Sequence, residues 1–201
     1  MKCIYIDVET TGIPCPASGL IQLAGAIEVD GGKPKSFQYR MQPFPNDVIE
    51  DEALAVNGVT REDMAAYNNP RDVYNKFISL LTTYVDRYNR ADKFHFIGYN
   101  AMFDSDHLRA WFVKNGDAYF GSWFHFPPID VMGMAAVYLM SRRARMKDFK
   151  LLTVARELGL KADETKMHDA RYDIAVTREM FKLLQREMHH KTPEREQGML
   201  F

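Results

Sequence analysis

KCIYIDV over 2–8 and LIQLAGAIEV over 20–29 are short, mostly apolar runs, and KSFQYRM over 35–41 alternates with a period of two. Each pattern predicts a strand. The Gly- and Pro-dense TTGIPCPASG predicts a loop between the first two, and DGGKP a hairpin between the second and third. The period then lengthens. DEALAVNGVTRED predicts a short helix, a stop at Gly58 and a restart at Thr60, with Asp63 completing a capping pattern. Val73, Phe77, Leu80, Leu81, Tyr84 and Tyr88 share one stripe and predict a helix over Pro70–Tyr88. A fourth strand is expected over Lys93–Gly98, a helix over Phe103–Lys114 ended by Asn115-Gly116, and a short strand end over Pro128–Asp130. Helices follow over Val131–Met140, Leu151–Leu158 and His168–His189. A meander followed by strands alternating with helices predicts an α/β fold: a mixed sheet whose parallel strands are joined by helical crossovers.

Composition narrows this picture. A chain of 201 residues is enough for one core, assigned to residues 1–190, with a polar tail over 191–201. The net charge of −1 and pI near 6.6 exclude a protein that coats nucleic acid by bulk positive charge, so any such contact must be local or carried by metal ions. The two cysteines, Cys3 and Cys15, form neither a disulfide framework nor a Cys-x-x-Cys site; reduced thiols in a cytoplasmic protein are expected. No signal-length apolar run opens the chain and no 18 apolar residues are consecutive, so no membrane partner is expected.

Candidate chemistry lies in three places. Asp7 and Glu9 occupy alternate positions of the first strand, on the face of Tyr5 and roughly 6.5–7 Å apart. Two carboxylates so placed either meet solvent at a strand end or hold a cation or share a proton. Asp104 stands where the fourth strand gives way to a helix, a usual place for α/β active sites, although an acid in a first helical turn also has a purely stabilising role. Asn100 is placed to cap that helix or hold the junction by its side chain. In HDARYDIAV, His168 and Asp173 are five residues apart, about 500° of helical rotation, and share no narrow face. His168 falls at the helix start, where the turning chain can still bring its imidazole over the site Asp173 enters.

Together these segments resemble the DnaQ-like, histidine-bearing branch of the DEDD exonucleases, in the RNase H-like superfamily. The motifs stand in the family's order: Asp-x-Glu-Thr-Thr-Gly at Asp7–Gly12, Asn-x-x-x-Asp at Asn100–Asp104 and His-x4-Asp at His168–Asp173. The resemblance implies a five-stranded RNase H-like sheet flanked by helices, and a 3′→5′ exonuclease. It implies that Asp7, Glu9, Asp104 and Asp173 bind two Mg²⁺ or Mn²⁺ ions and that His168 is the general base. It further places Thr11, Gly12 and Ile13 beside the terminal nucleotide, with Asn57, Asn100 and Phe103 nearby. Asn57 departs from relatives that carry His before this Gly. The substrate class implied is nucleic acid with a 3′ end, DNA before RNA; exoribonuclease activity and a non-catalytic polymerase-associated subunit are the alternatives. All-carboxylate ligands suit hard cations rather than zinc. Arg142 and Arg143, in the basic run SRRARMKDFK, are candidate backbone contacts. Gln197, Leu200 and Phe201 in the closing QGMLF resemble a sliding-clamp-binding peptide.

Overall fold

The computed structural model describes residues 1–167 and 169–190. Strands β1 (Lys2–Thr10), β2 (Leu20–Val29) and β3 (Lys35–Arg40) form the antiparallel meander. The β2–β3 turn takes positive φ at Asp30 (50°) and Gly31 (73°), closed by Gly32 N donating to Val29 O at 2.9 Å. That backbone suits an Asp-Gly pair and matches the twist of a hairpin. Strands β4 (His95–Gly98) and β5 (Ile129–Asp130) add in parallel, giving the order β3-β2-β1-β4-β5 with β1 central.

The helices are α1 (Asp51–Asn57), α2 (Arg61–Ala65), α3 (Pro70–Thr82), α4 (Ala101–Lys114), α5 (Val131–Tyr138), α6 (Leu151–Glu157) and α7 (Ala170–His190). Gly58 ends α1 in the left-handed region, and Thr60 with Asp63 forms a full capping box on α2. Helix α3 stops at Thr82, six residues short of the expected end. The Thr82 and Thr83 hydroxyls donate back to Ser79 O and Leu80 O, competing with the helical ladder, and Tyr88 is exposed. Helix α5 ends at Tyr138 because the apolar stripe runs out at buried Leu139; the basic residues after it wind into 3₁₀ turns over Met140–Arg145. Helix α4 starts two residues early, at Ala101. Helix α7 starts two residues late, because the Asp169 carboxylate accepts from Arg171 N (3.0 Å) and Tyr172 N (3.1 Å) and so fixes its first turn.

The sheet separates two cores. Ile4, Ile6 and Val8 share one with Phe77, Trp111 and Phe112 from α3 and α4. Cys3 and Tyr5 share the other with Val131, Val154, Ile174 and Phe181 from α5, α6 and α7. Buried Glu28 of β2 holds α7 to the sheet through Arg178 (2.5 Å) and Lys182 (3.0 Å). Burial alone would raise this carboxyl; the two cationic hydrogen bonds keep it below its usual range. Among the described residues no helix is long and apolar enough to cross a membrane.

Candidate active site

β1 runs past the end of β4, and the site is built where it does so. Its odd-numbered residues face α7, so Asp7 and Glu9 continue the face begun by Cys3 and Tyr5. Across from them on β2 stand Ala24 and Gln22. A bulge between Glu9 and Thr10 shifts the register just beyond the pair, a device that bends a strand and re-aims its side chains. Val8 has no strand beside it on the β4 side. Its N–H donates instead to Asp104 Oδ1 at 3.0 Å, so a carboxylate from α4 stands in for a missing rung.

Asp130, the N-cap of α5, sets where α4 begins. Its Oδ1 accepts from Met132 N (3.1 Å), Asn100 N (2.9 Å) and Ala101 N (3.4 Å). The expected side-chain cap from Asn100 is therefore corrected. Asn100 has φ 65°, its side chain makes no cap bond, and its backbone N–H does the holding. The fourth acid, Asp173, lies in the first turn of α7, on the flank of the buried stripe made by Ala170, Ile174 and Thr177.

These carboxyls act on one another. Burial pushes Asp7 well above the usual carboxylate range, with Asp104, Glu9 and Asp173 adding to the effect. Burial and Asp173 push Glu9 up to about 7. Asp104 is also raised, chiefly by burial, with Glu9 and Asp130 adding to it; its bonds to Val8 N–H and its own N–H pull the other way. Among the described residues, no cationic group is a principal influence on these three acids. Among the described residues, no three His, Cys, Asp or Glu side chains already stand close enough together to hold a metal ion. Mutual repulsion opposes such closure.

Beside Glu9 lies a cleft of about 280 Å³, lined mainly by Val8, Ile13, Ala53, Val56 and Phe103, with Gly12, Glu50 and Asn57 at its wall. Four of the residues expected near a terminal nucleotide thus meet here: Gly12, Ile13, Asn57 and Phe103. Ile13 is 77% exposed and Val56 74%, so both offer free apolar surface. Thr11 does not face the cleft. It is fully buried, donates its hydroxyl to Val48 O and accepts from Gly19 N (2.7 Å), so it shapes the loop from within. A Cβ on Gly12 would meet Glu50 Oε2 at 2.7 Å and Ser18 Oγ at 2.6 Å, so a larger residue there would displace these two side chains. Asn57 donates its amide to Thr10 O at 2.9 Å, which fastens α1 to the end of β1.

Arg142 bonds Glu157 O at 3.3 Å, and the Arg143 guanidinium lies 4.3 Å from the Phe149 ring centre. Arg143 also acts electrostatically on Tyr99, which directly follows β4 at the sheet edge carrying the acids. His168, Gln197, Leu200 and Phe201 lie outside the described residues. Three contributors were not singled out by sequence pattern. Asp130 stands at the short strand end that the sequence predicts, and its reach to α4 depends on tertiary folding. Glu50 holds Ile13 N at 3.3 Å, and Arg40 borders a second cleft that also touches Glu9.

The mixed five-stranded sheet with flanking helices is an RNase H-like fold, and the chain is an exonuclease of the DnaQ-like 3′→5′ class. It belongs to the exonuclease family represented by RNase T, whose model matches residues 4–181. Two similar proteins are named Ribonuclease T. The one from Baumannia cicadellinicola is 25% identical over 189 residues, covering 89% of this chain and 80% of its own. The one from Shewanella frigidimarina is 24% identical over 198 residues, covering 90% and 80%. Among solved structures, E. coli exonuclease I in complex with a dT13 oligonucleotide superposes with a TM-score of 0.74 at 22% identity over 94% of this chain. A zinc-bound E. coli exonuclease I–ssDNA complex gives 0.73 at 19% identity. The chain spans 42% and 41% of those two chains.

Proposed function

We propose that this exonuclease removes nucleotides from the 3′ end of DNA, releasing nucleoside monophosphates, with Asp7, Glu9, Asp104 and Asp173 as the divalent-metal ligands. The observation that carries this reading is a set of carboxyls raised by burial and by one another, with no cationic group from the described residues among the main influences on them. An all-oxygen, anionic donor set fits Mg²⁺ or Mn²⁺, and positive charge is what would let these acids ionise together. When bound, such ions supply the charge that allows water to attack an anionic phosphodiester and that steadies the departing 3′ oxygen.

The chain's own residues do the remainder. The apolar cleft beside Glu9 receives the terminal nucleoside, with Phe103 and Ile13 as its hydrophobic walls. Asp104 and Asp130 fix α4 against β1, so Asp104 is positioned before substrate arrives. His168 takes the proton from the attacking water, its ordinary pKa being near neutrality. Arg142 and Arg143 meet the backbone of the incoming strand.

The likeness to exonuclease I in complex with a dT13 oligonucleotide supports the DNA reading. The Thr10 hydroxyl donates to Gly12 O (2.7 Å), the Asn57 amide to Thr10 O, and the Glu50 carboxylate accepts from Ile13 N. These bonds fix the walls of the cleft. The resemblance to proteins named Ribonuclease T favours a second reading, trimming of RNA 3′ ends. Matched deoxy- and ribo-oligonucleotides, assayed with Mg²⁺ and Mn²⁺, decide between them: faster release from the ribo-strand overturns the DNA assignment, and no release from either overturns the catalytic one. His168→Ala is expected to slow turnover while leaving calorimetric metal and substrate binding intact; an unchanged rate rejects it as the base. A sliding clamp is the proposed partner of Gln197, Leu200 and Phe201, and deleting 197–201 should abolish co-elution with it.

A further inference from the structure

Glu9 and Asn57 form a partition. On one side is the apolar cleft described above; on the other is a smaller polar cleft of about 100 Å³, with Arg40, Gln22, Gln38 and Tyr67 in its lining and Asp169 at its edge. Arg40 is held from two directions. Its Nε donates to Gln22 Oε1 at 3.1 Å, and its guanidinium carbon lies 5.6 Å from the Tyr67 ring centre. These contacts orient the planar group and leave both terminal nitrogens without a hydrogen-bond partner among the described residues. Nor is Arg40 the counter-ion of the acid cluster. It is not among the principal influences on Asp7, Glu9 or Asp104, although it bears on Asp63, across at α2. The Arg40 side chain is exposed, so its oriented fork is open to an anion arriving from solvent. A guanidinium fork with two free nitrogens, beside two carboxamides, matches the oxygens of a phosphate. The volume admits a phosphate and excludes a nucleoside.

We propose that this cleft is a phosphate-monoester subsite centred on Arg40. The inference rests on the exonuclease reading given above. If the scissile phosphodiester lies over the acids and the terminal nucleoside fills the apolar cleft, the partition leaves this subsite for a phosphate lying off the acids, either one that is not cleaved or the cleaved one after it has left them. Two sources share that chemistry: a phosphate on the 3′ terminus of the strand, or the phosphate of the released mononucleotide.

The test uses the full chain in EDTA, so that phosphate affinity is read apart from cleavage. Inorganic phosphate is titrated calorimetrically into wild type, Arg40→Gln and Arg40→Lys, with circular dichroism confirming the fold of each. Binding should weaken about tenfold or more in Arg40→Gln, and Arg40→Lys should recover only part of it, because an ammonium lacks the fork. Two further arms locate the source. Tighter binding of a 3′-phosphorylated than of a 3′-hydroxyl oligonucleotide points to the strand terminus; tighter binding of a 5′-mononucleotide than of its nucleoside points to the product. Either preference should vanish in Arg40→Gln. Because Gln22→Leu keeps the charge but removes the clamp, it should give an intermediate loss. Equal phosphate affinity in wild type and folded Arg40→Gln, or no preference in either arm, overturns the subsite. An inactive wild type that still binds phosphate through Arg40 would overturn the nuclease assignment and leave the subsite standing.

Discussion

On one face of β1, Ile4, Ile6 and Val8 lie in a core with Phe77, Trp111 and Phe112; on the other, Cys3 and Tyr5 give way to Asp7 and Glu9 within four residues. The first face is dense with aromatic pairs, among them Tyr74–Phe112 with ring centres 5.3 Å apart and Phe77–Phe112 at 6.3 Å, both edge-on. The second is aliphatic where α7 crosses it and then charged, and its charges oppose one another. A single strand therefore serves as a rigid footing on one side and as an electrostatically strained shelf on the other. Strain of this kind can be maintained only because the opposite face fixes the strand's position.

The contrast can be broken most severely at the acids. Asp7→Ala or Asp173→Ala should cut the cleavage rate by about 10³-fold or more, equivalent to about 4 kcal/mol of barrier, while the melting temperature is kept or raised. A mutant that unfolds would show these acids to be structural. On the other face, Phe77→Ala should cost about 3–5 kcal/mol of unfolding free energy by chemical denaturation, since Phe77 is fully buried and its neighbours cannot all close the gap. A cost below about 1 kcal/mol would remove the distinction between the faces.

Acidity sharpens the comparison further. Glu9 is lifted from 4.5 to about 7, and Asp7 and Asp104 are lifted from 3.8. The folded chain thus retains protons that the unfolded chain releases near pH 4. Between that pH and about 8 the folded state binds more protons, so stability falls as pH rises. In EDTA the melting temperature should be several degrees higher at pH 5 than at pH 8, and Mn²⁺ should raise it at pH 8. A flat profile in EDTA would show that neither burial nor mutual repulsion raises these acids. The smallest expected effect is at Arg142 and Arg143. Reversing both to Glu should weaken strand binding several-fold and reduce the slope of log affinity against log salt by about one.

How much was legible depended on how local each cause was. The Thr60–Asp63 box, the Gly58 stop and the Asp30–Gly31 turn follow from residues within one turn of each other, and the sequence predicts all three. The shared face of Asp7 and Glu9 follows from strand periodicity, and β1 extends two residues beyond its expected end to include both Glu9 and Thr10. The end of α3 was not legible, because Tyr84 and Tyr88 keep the helical spacing while the threonine hydroxyls break the ladder. Thr11 matched a family motif, yet its hydroxyl turned inward to partners at 19 and 48 that only the folded loop brings near. Asp130 and Arg40 carried no motif; their neighbours come from other strands and helices.

Asp104 completes a rung of the sheet by accepting the Val8 amide, across 96 positions of sequence. That proton is consequently a resident spectroscopic probe of the acid centre. Its NMR resonance senses the charge on Asp104 through a direct hydrogen bond, without any label placed in the cleft. Titrating Mg²⁺ or Mn²⁺ while following this one amide would report ion arrival at the acids in a protein that has not yet seen a substrate.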